Sequence, residues 1–250
     1  MSWLIVVPRT ILTWLVGVIA TIWGAASVMV IALIDDTSPW IDRVIRGWSR
    51  AWIWASGTKL EAVGTEHVDP DRSYVVVANH LSALDIMVCF IAVRLPIRYL
   101  AKKELFRVPI LAQGMRAVGI IEVDRAARTA IHGEVNRQAK DLIEKNRSLI
   151  IFAEGTRPRN GVMRPFKKGA FTMAISSGLP ILPVSIHGSY QAFRPGHPWV
   201  KGGRVQVVIE EAIDTTSLSP ADTGDLRDRV YQIISDRVRS MGGPIGSDQS

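Results

Sequence analysis

Residues 10–34 (TILTWLVGVIATIWGAASVMVIALI) run for 25 positions without a charged side chain. A stretch this apolar has to satisfy its own backbone polar groups, which makes a helix the default. At 1.5 Å per residue it would rise ~37 Å, against a hydrocarbon core of roughly 30 Å. It is therefore long enough to span a bilayer with tilt. Two other readings stay open. Pro8, Gly17 and Gly24 leave room for a segment that enters one leaflet only. A cleaved signal peptide would have an apolar core of about 7–15 residues and a small-residue cleavage site. This run is longer, and Ile-Ala-Leu-Ile-Asp-Asp is a poor site. Only Arg9 precedes the segment, whereas Arg43, Arg46 and Arg50 come after it. The positive-inside bias places the remainder of the chain in the cytoplasm.

Residues 40–54 (WIDRVIRGWSRAWIW) interleave aromatics, aliphatics and arginines. Trp40, Val44, Trp48, Ala51 and Ile53 approximate one helical face. That spacing predicts an interfacial helix, with Trp at headgroup depth and Arg near phosphates. A surface helix packed on the domain by its Trp side chains is the plainer alternative.

From Lys59 the chain reads as a globular domain. Short apolar runs at 60–63, 74–78, 97–101, 120–123, 149–153, 181–186 and 204–209 predict strands. Helical periodicity falls between them at 82–93, 108–118, 128–145 and 169–177, and again at 221–241. Alternating strands and helices predict an α/β fold, a mostly parallel mixed sheet flanked by helices. The expected division is a membrane segment and interfacial helix over 1–56, one domain over 57–241, and a flexible polar tail over 242–250. The net charge of +7 points to an anionic partner. Nucleic acid is a poor fit, because the arginines cluster beside strand ends and no nucleic-acid module is visible. The single cysteine, Cys89, excludes an internal disulfide and a Cys-rich metal site.

Several strands end in polar clusters. After 74–78 comes Asn79-His80-Leu81-Ser82-Ala83-Leu84-Asp85. Inside one helix, His80 and Asp85 would lie about 140° apart. They can meet only if His80 sits on the turn before the helix. Ser82 followed by Asp85 is also a capping-box pattern, so Asp85 has a purely structural reading. In the functional reading Asp85 accepts the Nδ1 proton of His80, and Nε2 takes a proton from a substrate hydroxyl. No Gly-x-Ser-x-Gly elbow supplies a nucleophile. Ser185 and Ser189 near His187 are only a faint hydrolase signal.

After 149–153 comes Glu154-Gly155-Thr156-Arg157, which combines backbone N–H groups, a hydroxyl and a guanidinium. That is anion-binding chemistry. Arg157, Arg159, Arg164, Lys167 and Lys168 lie in the next stretch with no acidic residue among them. A further basic set is Lys102, Lys103, Arg107, Arg116 and Arg125, the last at a strand end. Open α/β sheets place their sites at such carboxyl ends.

Four ordered motifs, over about residues 60–190, resemble the glycerolipid acyltransferases typified by 1-acylglycerol-3-phosphate acyltransferase. These are Asn79-His80 with Asp85, Gly119 with Arg125, Phe152 with Glu154-Gly155-Thr156-Arg157, and Leu179-Pro180-Ile181-Leu182-Pro183-Val184. The run Pro165-Phe166-Lys167-Lys168-Gly169-Ala170-Phe171 is similar as well. The resemblance implies a glycerol-3-phosphate acyltransferase-like fold with an N-terminal membrane helix, at a bacterial-type inner membrane, facing the cytoplasm. It implies that His80 deprotonates the acceptor hydroxyl and Asp85 orients it. It implies that Arg125, Glu154, Gly155, Thr156, Arg157 and Lys103 bind the acceptor's glycerol phosphate, with Asn79, Gly119 and Pro183 supporting the motifs. The acceptor would be a lysophospholipid, most simply lysophosphatidate. The donor would be acyl-CoA or acyl carrier protein, with no metal and no cofactor. Alternatives are another lysolipid acceptor, a lyso-aminolipid or glycolipid, or a non-catalytic membrane protein that binds anionic lipids. Two positions depart from the pattern. Ala153 stands for the usual proline, and Glu122 for an aromatic or aliphatic residue.

Overall fold

A computed structural model of the chain describes residues 3–123, 137 and 141–246. The strands are β1 (Thr58–Val63), β2 (Val75–Ala78), β3 (Ile97–Lys102), β4 (Ile121–Val123), β5 (Ser148–Phe152), β6 (Ile181–His187) and β7 (Gly203–Ile209). They form one sheet in the order β1-β7-β6-β2-β5-β3-β4. Neighbours run parallel except β6 against β7. The expected α/β fold with a mostly parallel mixed sheet is the one the chain adopts.

The central strands are apolar on both sides because helices cover both sides. Val75 and Val77 pack toward α5 (Gly169–Ser177) and, after the short α6 (Ser189–Ala192), α7 (Thr223–Ser240), against Phe171, Leu226, Val230 and Ile234. Val76 and Ala78 face the other way, toward α2 (Pro39–Ala55) and α3 (Leu84–Ala92). α7 docks through Leu226, Val230, Ile234 and Val238, one helical stripe. The predicted helix over 128–145 falls mostly outside the described residues, although residues 141–144 are helical.

Register decides what meets at the sheet edge. Ala78 pairs with Phe152 across β2 and β5. Just past that pair the Ala153 N–H reaches the Ala78 carbonyl at 3.2 Å, and the His80 N–H reaches the Glu154 carboxyl at 2.7 Å. Lys102 pairs with Val123 at the ends of β3 and β4. These four strands all present their carboxyl ends to the same side. Pro183 is accommodated inside β6 because ladder pairing with β7 starts only at Val184. Its carbonyl still accepts the Glu210 N–H at 3.0 Å.

The charge-free segment is α1 (Trp3–Ile34), a 32-residue helix. It lies along the body over its whole length. Near its start, Thr10 Oγ1 accepts the Val200 N–H at 2.9 Å, and Arg9 donates to the Lys201 carbonyl. In the middle, Thr13 donates to the Ala55 carbonyl and Trp48 Nε1 to Thr21. Just past its end, Lys145 pairs with Asp36. Small residues allow this approach: a Cβ at Gly17 would fall 2.3 Å from the Trp52 ring, and one at Gly114 2.8 Å from Ala25. The outer face carries Ile11, Leu15, Val18, Ile22 and Trp23, all exposed.

α2 buries Ile41, Ile45, Ser49 and Ile53. Of the predicted face Trp40, Val44, Trp48, Ala51 and Ile53, Ile53 is buried and Val44, Trp48 and Ala51 are half-buried, whereas Trp40 is exposed. Ile41, Ile45, Ser49 and Ile53 keep a strict four-residue spacing, while Trp40 and Trp54 are turned outward. Arg98 on β3 is fully buried; its guanidinium donates to Asp42 of α2 at 2.7 Å and to the Val118 carbonyl. It fastens α2 and α4 (Leu111–Val118) to the sheet.

Residues 243–246, expected within a frayed tail, are paired. Met163 donates its N–H to the Pro244 carbonyl at 3.3 Å and accepts the Gly246 N–H at 3.2 Å. The last residues, 247–250, lie outside the described set.

Candidate active site

β2 ends against a fully buried asparagine. Asn79 donates Nδ2–H to the Ile186 carbonyl and accepts the Ile186 N–H on Oδ1, both at 2.8 Å. The amide mimics a strand residue and locks the exit of β2 to β6. The chain then turns out of the sheet, which puts His80 ahead of α3, as the spacing required.

The Nδ1 of His80 lies 2.8 Å from Asp85 Oδ2. The same oxygen accepts the N–H groups of Leu81 at 2.6 Å and Ser82 at 2.7 Å. Three donors converge on one oxygen, so Nδ1 carries the proton and Nε2 is the basic nitrogen. Ser82 Oγ accepts the Leu84 N–H at 3.2 Å. Ser82 and Asp85 thus brace the turn that enters α3, but the capping box is not completed: the helix takes Ala83 as its N-cap, and the Asp85 N–H goes to the Ser82 carbonyl. One carboxylate both holds this turn and faces the His80 Nδ1.

Glu154 is buried, and both its oxygens are used by backbone. Oε1 accepts the His80 N–H at 2.7 Å, and Oε2 accepts the Arg164 N–H at 2.9 Å. Burial pushes its pKa up to about 8, against the pull of those two N–H donors and with a further push from the Asp85 charge. Glu154 therefore lies beneath the site as a bracket between the histidine turn and the basic loop. Gly155 turns the chain with φ +74°, and the Lys167 side chain lies across it, 3.0 Å from where a Cβ would stand. Thr156 and Arg157 are exposed beyond that turn.

The basic loop is held at several points. Tyr190 donates its hydroxyl to the Arg159 carbonyl at 2.8 Å, and its ring fills the space a Cβ at Gly161 would need. Met163 is pinned by the C-terminal segment and Arg164 by Glu154. Lys167 donates its N–H to the Ala153 carbonyl at 2.8 Å. The side chains of Arg157, Arg159, Arg164, Lys167 and Lys168 all remain exposed, with no ion pair among the described residues. Glu154 ties this exposed basic loop, at the Arg164 N–H, to the His80 turn.

Lys103 is half-buried and opens a 3-10 turn at the end of β3, on the same edge of the sheet. Gly119 closes α4 with φ +82°. Arg125 lies outside the described residues. Glu122 is exposed and 3.9 Å from Arg116, so it faces solvent. Ser185 and Ser189 are buried, and neither hydroxyl has a hydrogen-bond partner among the described residues. No histidine activates them, and the hydrolase signal gains no geometric support.

An apolar cavity of about 270 Å³ opens next to this edge. Its walls include Thr21 and Ala25 of α1, Trp48 of α2, Phe90 of α3, Tyr99 of β3 and Met115 of α4. It is lined almost wholly by carbon, the lining suited to an alkyl chain.

Several contributors have no distinctive signal in sequence. The Asn79 clamp and the Glu154 bracket join residues 107 and 74 positions apart. Phe152 is visible as the aromatic that precedes the Glu-Gly-Thr-Arg run, but nothing in the run indicates that its ring meets His80. Arg98 reads as an exposed basic residue until its partners on α2 and α4 are known.

Residues 59–187 match the family model described as Acyltransferase. A 1-acyl-sn-glycerol-3-phosphate acyltransferase of Borreliella burgdorferi is 30% identical over 78% of this chain and 76% of its own length. The alpha 1-acyl-sn-glycerol-3-phosphate acyltransferase of Mus musculus is 34% identical over 70% of this chain; the match spans 61% of the mouse protein. The fold is shared with the crystal structure of a 1-acyl-sn-glycerophosphate (LPA) acyltransferase from Thermotoga maritima, with a TM-score of 0.81 and 23% identity over 96% of this chain and 98% of that one. On the extent of the family match and the identity to these relatives, the chain belongs to the acyltransferase family.

Proposed function

We propose that this acyltransferase moves a fatty acyl group from acyl-CoA or acyl carrier protein to the sn-2 hydroxyl of lysophosphatidate, giving phosphatidate. The observation that carries the reading is the His80–Asp85 pair, 2.8 Å apart, joined through Glu154 to a loop that carries five exposed cations. A base next to an anion cradle suits an acceptor with both a hydroxyl and a phosphate. The names of the relatives agree with it.

In this reading His80 Nε2 takes the acceptor hydroxyl's proton as the oxygen attacks the thioester carbonyl. The tetrahedral intermediate collapses, the C–S bond breaks, and the thiolate recovers the proton from His80. Asp85 fixes the tautomer and steadies the imidazolium. Arg157, Thr156 and the backbone of Gly155, together with Lys103 and Arg125, receive the phosphate. Glu154 contributes to that cradle indirectly, by holding Arg164 and His80 in place. The acyl chain occupies the apolar cavity. The acceptor supplies the nucleophile, so the reading calls for no metal and no cofactor.

α1 and α2 form the membrane module of residues 1–56. Both ends of α1 and its middle touch the same body, so a helix crossing to the far side would have to carry that body with it. We read α1 as lying in the near leaflet with its exposed apolar face in the lipid, at the cytoplasmic side of a bacterial-type inner membrane.

The test is purified full-length protein in lipid, with a panel of lysolipids and thiol release from acyl-CoA or acyl carrier protein. Lysophosphatidate should be the preferred acceptor, and His80→Ala should lose turnover while keeping its melting temperature. Wild-type turnover in that variant would end the reading, and equal rates with a phosphate-free lysolipid would end the choice of acceptor.

A further inference from the structure

The ring of Phe152 lies face-on against the His80 imidazole, with centroids 3.8 Å apart and planes 8° from parallel. Aromatic pairs commonly prefer offset or edge-on arrangements, so a close parallel pair needs support from its surroundings. Tyr99 supplies it from behind. Its ring stacks on Phe152 with centroids 5.6 Å apart at 26°, and its hydroxyl donates to the Ile86 carbonyl at 2.9 Å. Phe90 meets Tyr99 edge-on at 4.9 Å. Tyr99 and Phe90 are also walls of the apolar cavity. A column of rings therefore runs from the cavity wall to His80.

The hydrogen bond from Nδ1 to Asp85 fixes one point of the imidazole. A flat face at 3.8 Å fixes its plane, and with it the direction of Nε2. The face has a second effect. When the imidazole takes a proton, positive charge spreads over a ring that already lies on a π cloud, which favours the cation without offering a competing hydrogen-bond acceptor.

We propose that Phe152, backed by Tyr99, is a positioning residue for the acyl-transfer step. It sets the plane of the His80 ring and supports its protonated form. The proposal rests on His80 acting as the base. It assigns to Phe152 a role in turnover rather than in binding either substrate.

The experiment measures kcat and both KM values for the full chain in lipid with lysophosphatidate and acyl-CoA. Phe152→Leu should lower kcat about 10-fold and leave both KM values within about twofold. Phe152→Tyr, which keeps the face, should retain most of the wild-type kcat. Wild-type kcat in folded Phe152→Leu, or equal losses in the Leu and Tyr variants, would overturn the proposal. Should Phe152→Leu not fold, Phe152→Met, close in volume and without a ring, replaces it with the same expectation. His80→Ala is run alongside. Turnover persisting there overturns the base and this proposal together, whereas an inactive His80→Ala beside an unaffected Phe152→Leu overturns this proposal alone.

Discussion

The Glu154 carboxyl and the His80 backbone meet across the β2–β5 boundary, with Oε1 accepting the His80 N–H at 2.7 Å. The other oxygen holds Arg164. Glu154→Gln keeps the volume but turns one acceptor into a donor facing a backbone N–H. An unmet buried donor of this kind costs about 1–3 kcal/mol. The expected result is a lower melting temperature and a kcat reduced at least tenfold. A variant with wild-type kinetics would show that the bracket is dispensable.

The same carboxyl gives stability a pH dependence. Its folded pKa is raised from 4.5 to about 8 by burial. Between those values the folded chain keeps a proton that the unfolded chain releases. Its contribution to stability is therefore complete below pH 4.5 and drains away as pH rises toward 8. Melting temperatures measured from about pH 5 to 8 should fall more steeply for the wild type than for Glu154→Gln. Parallel curves would refute the assignment.

Asp85→Asn tests an oxygen with three donors. The amide can keep the turn geometry only by presenting its carbonyl, and it loses the negative charge opposite His80. Turnover should fall by about 10³–10⁴-fold. The melting temperature should fall as well, because the Leu81 and Ser82 N–H groups lose a carboxylate. A kinetic loss without any thermal loss would argue against the turn-bracing role.

Deleting everything after Gly242 removes both partners of the Met163 backbone. Two lost hydrogen bonds are worth about 1–3 kcal/mol together. The effect should fall on the basic loop, as a KM for lysophosphatidate raised roughly fivefold with kcat little changed. An unaltered KM would mean that Tyr190 and Glu154 hold the loop unaided.

Gly17→Val places a Cβ 2.3 Å from the Trp52 ring. Overpacking of this kind costs about 1–3 kcal/mol. Gly24→Ala meets Trp48 no closer than 3.7 Å and should be tolerated. The pair, compared by thermal melting in detergent, separates tight α1–α2 packing from mere adjacency.

Much of the fold was legible from local pattern. Apolar runs such as 74–78 and 149–152 can only be central strands, and the five-residue step from His80 to Asp85 forced the histidine outside its helix. What escaped depends on distance along the chain. The step that brings His80 to Glu154 comes from β2–β5 register, which no local run encodes. The centre of the α2 face escaped the pattern: Trp40 weighs heavily in hydropathy yet lies outside, whereas Ile41 and Ile45 lead the buried stripe beside the expected Ile53. Arg98 shows the same limit in reverse, a charged residue buried because Asp42 and a helix-end carbonyl wait for it.

α1 supplies Thr21, Gly24, Ala25 and Val28 to the wall of the apolar cavity. Under the proposed function, the segment that would lie in the lipid is thus also part of the vessel that would receive the lipid tail. Removing it to obtain a water-soluble fragment would breach that vessel. Under the same proposal, a protease that clips the helix would inactivate the protein rather than release it, which would tie its activity to the membrane by architecture and not only by attachment.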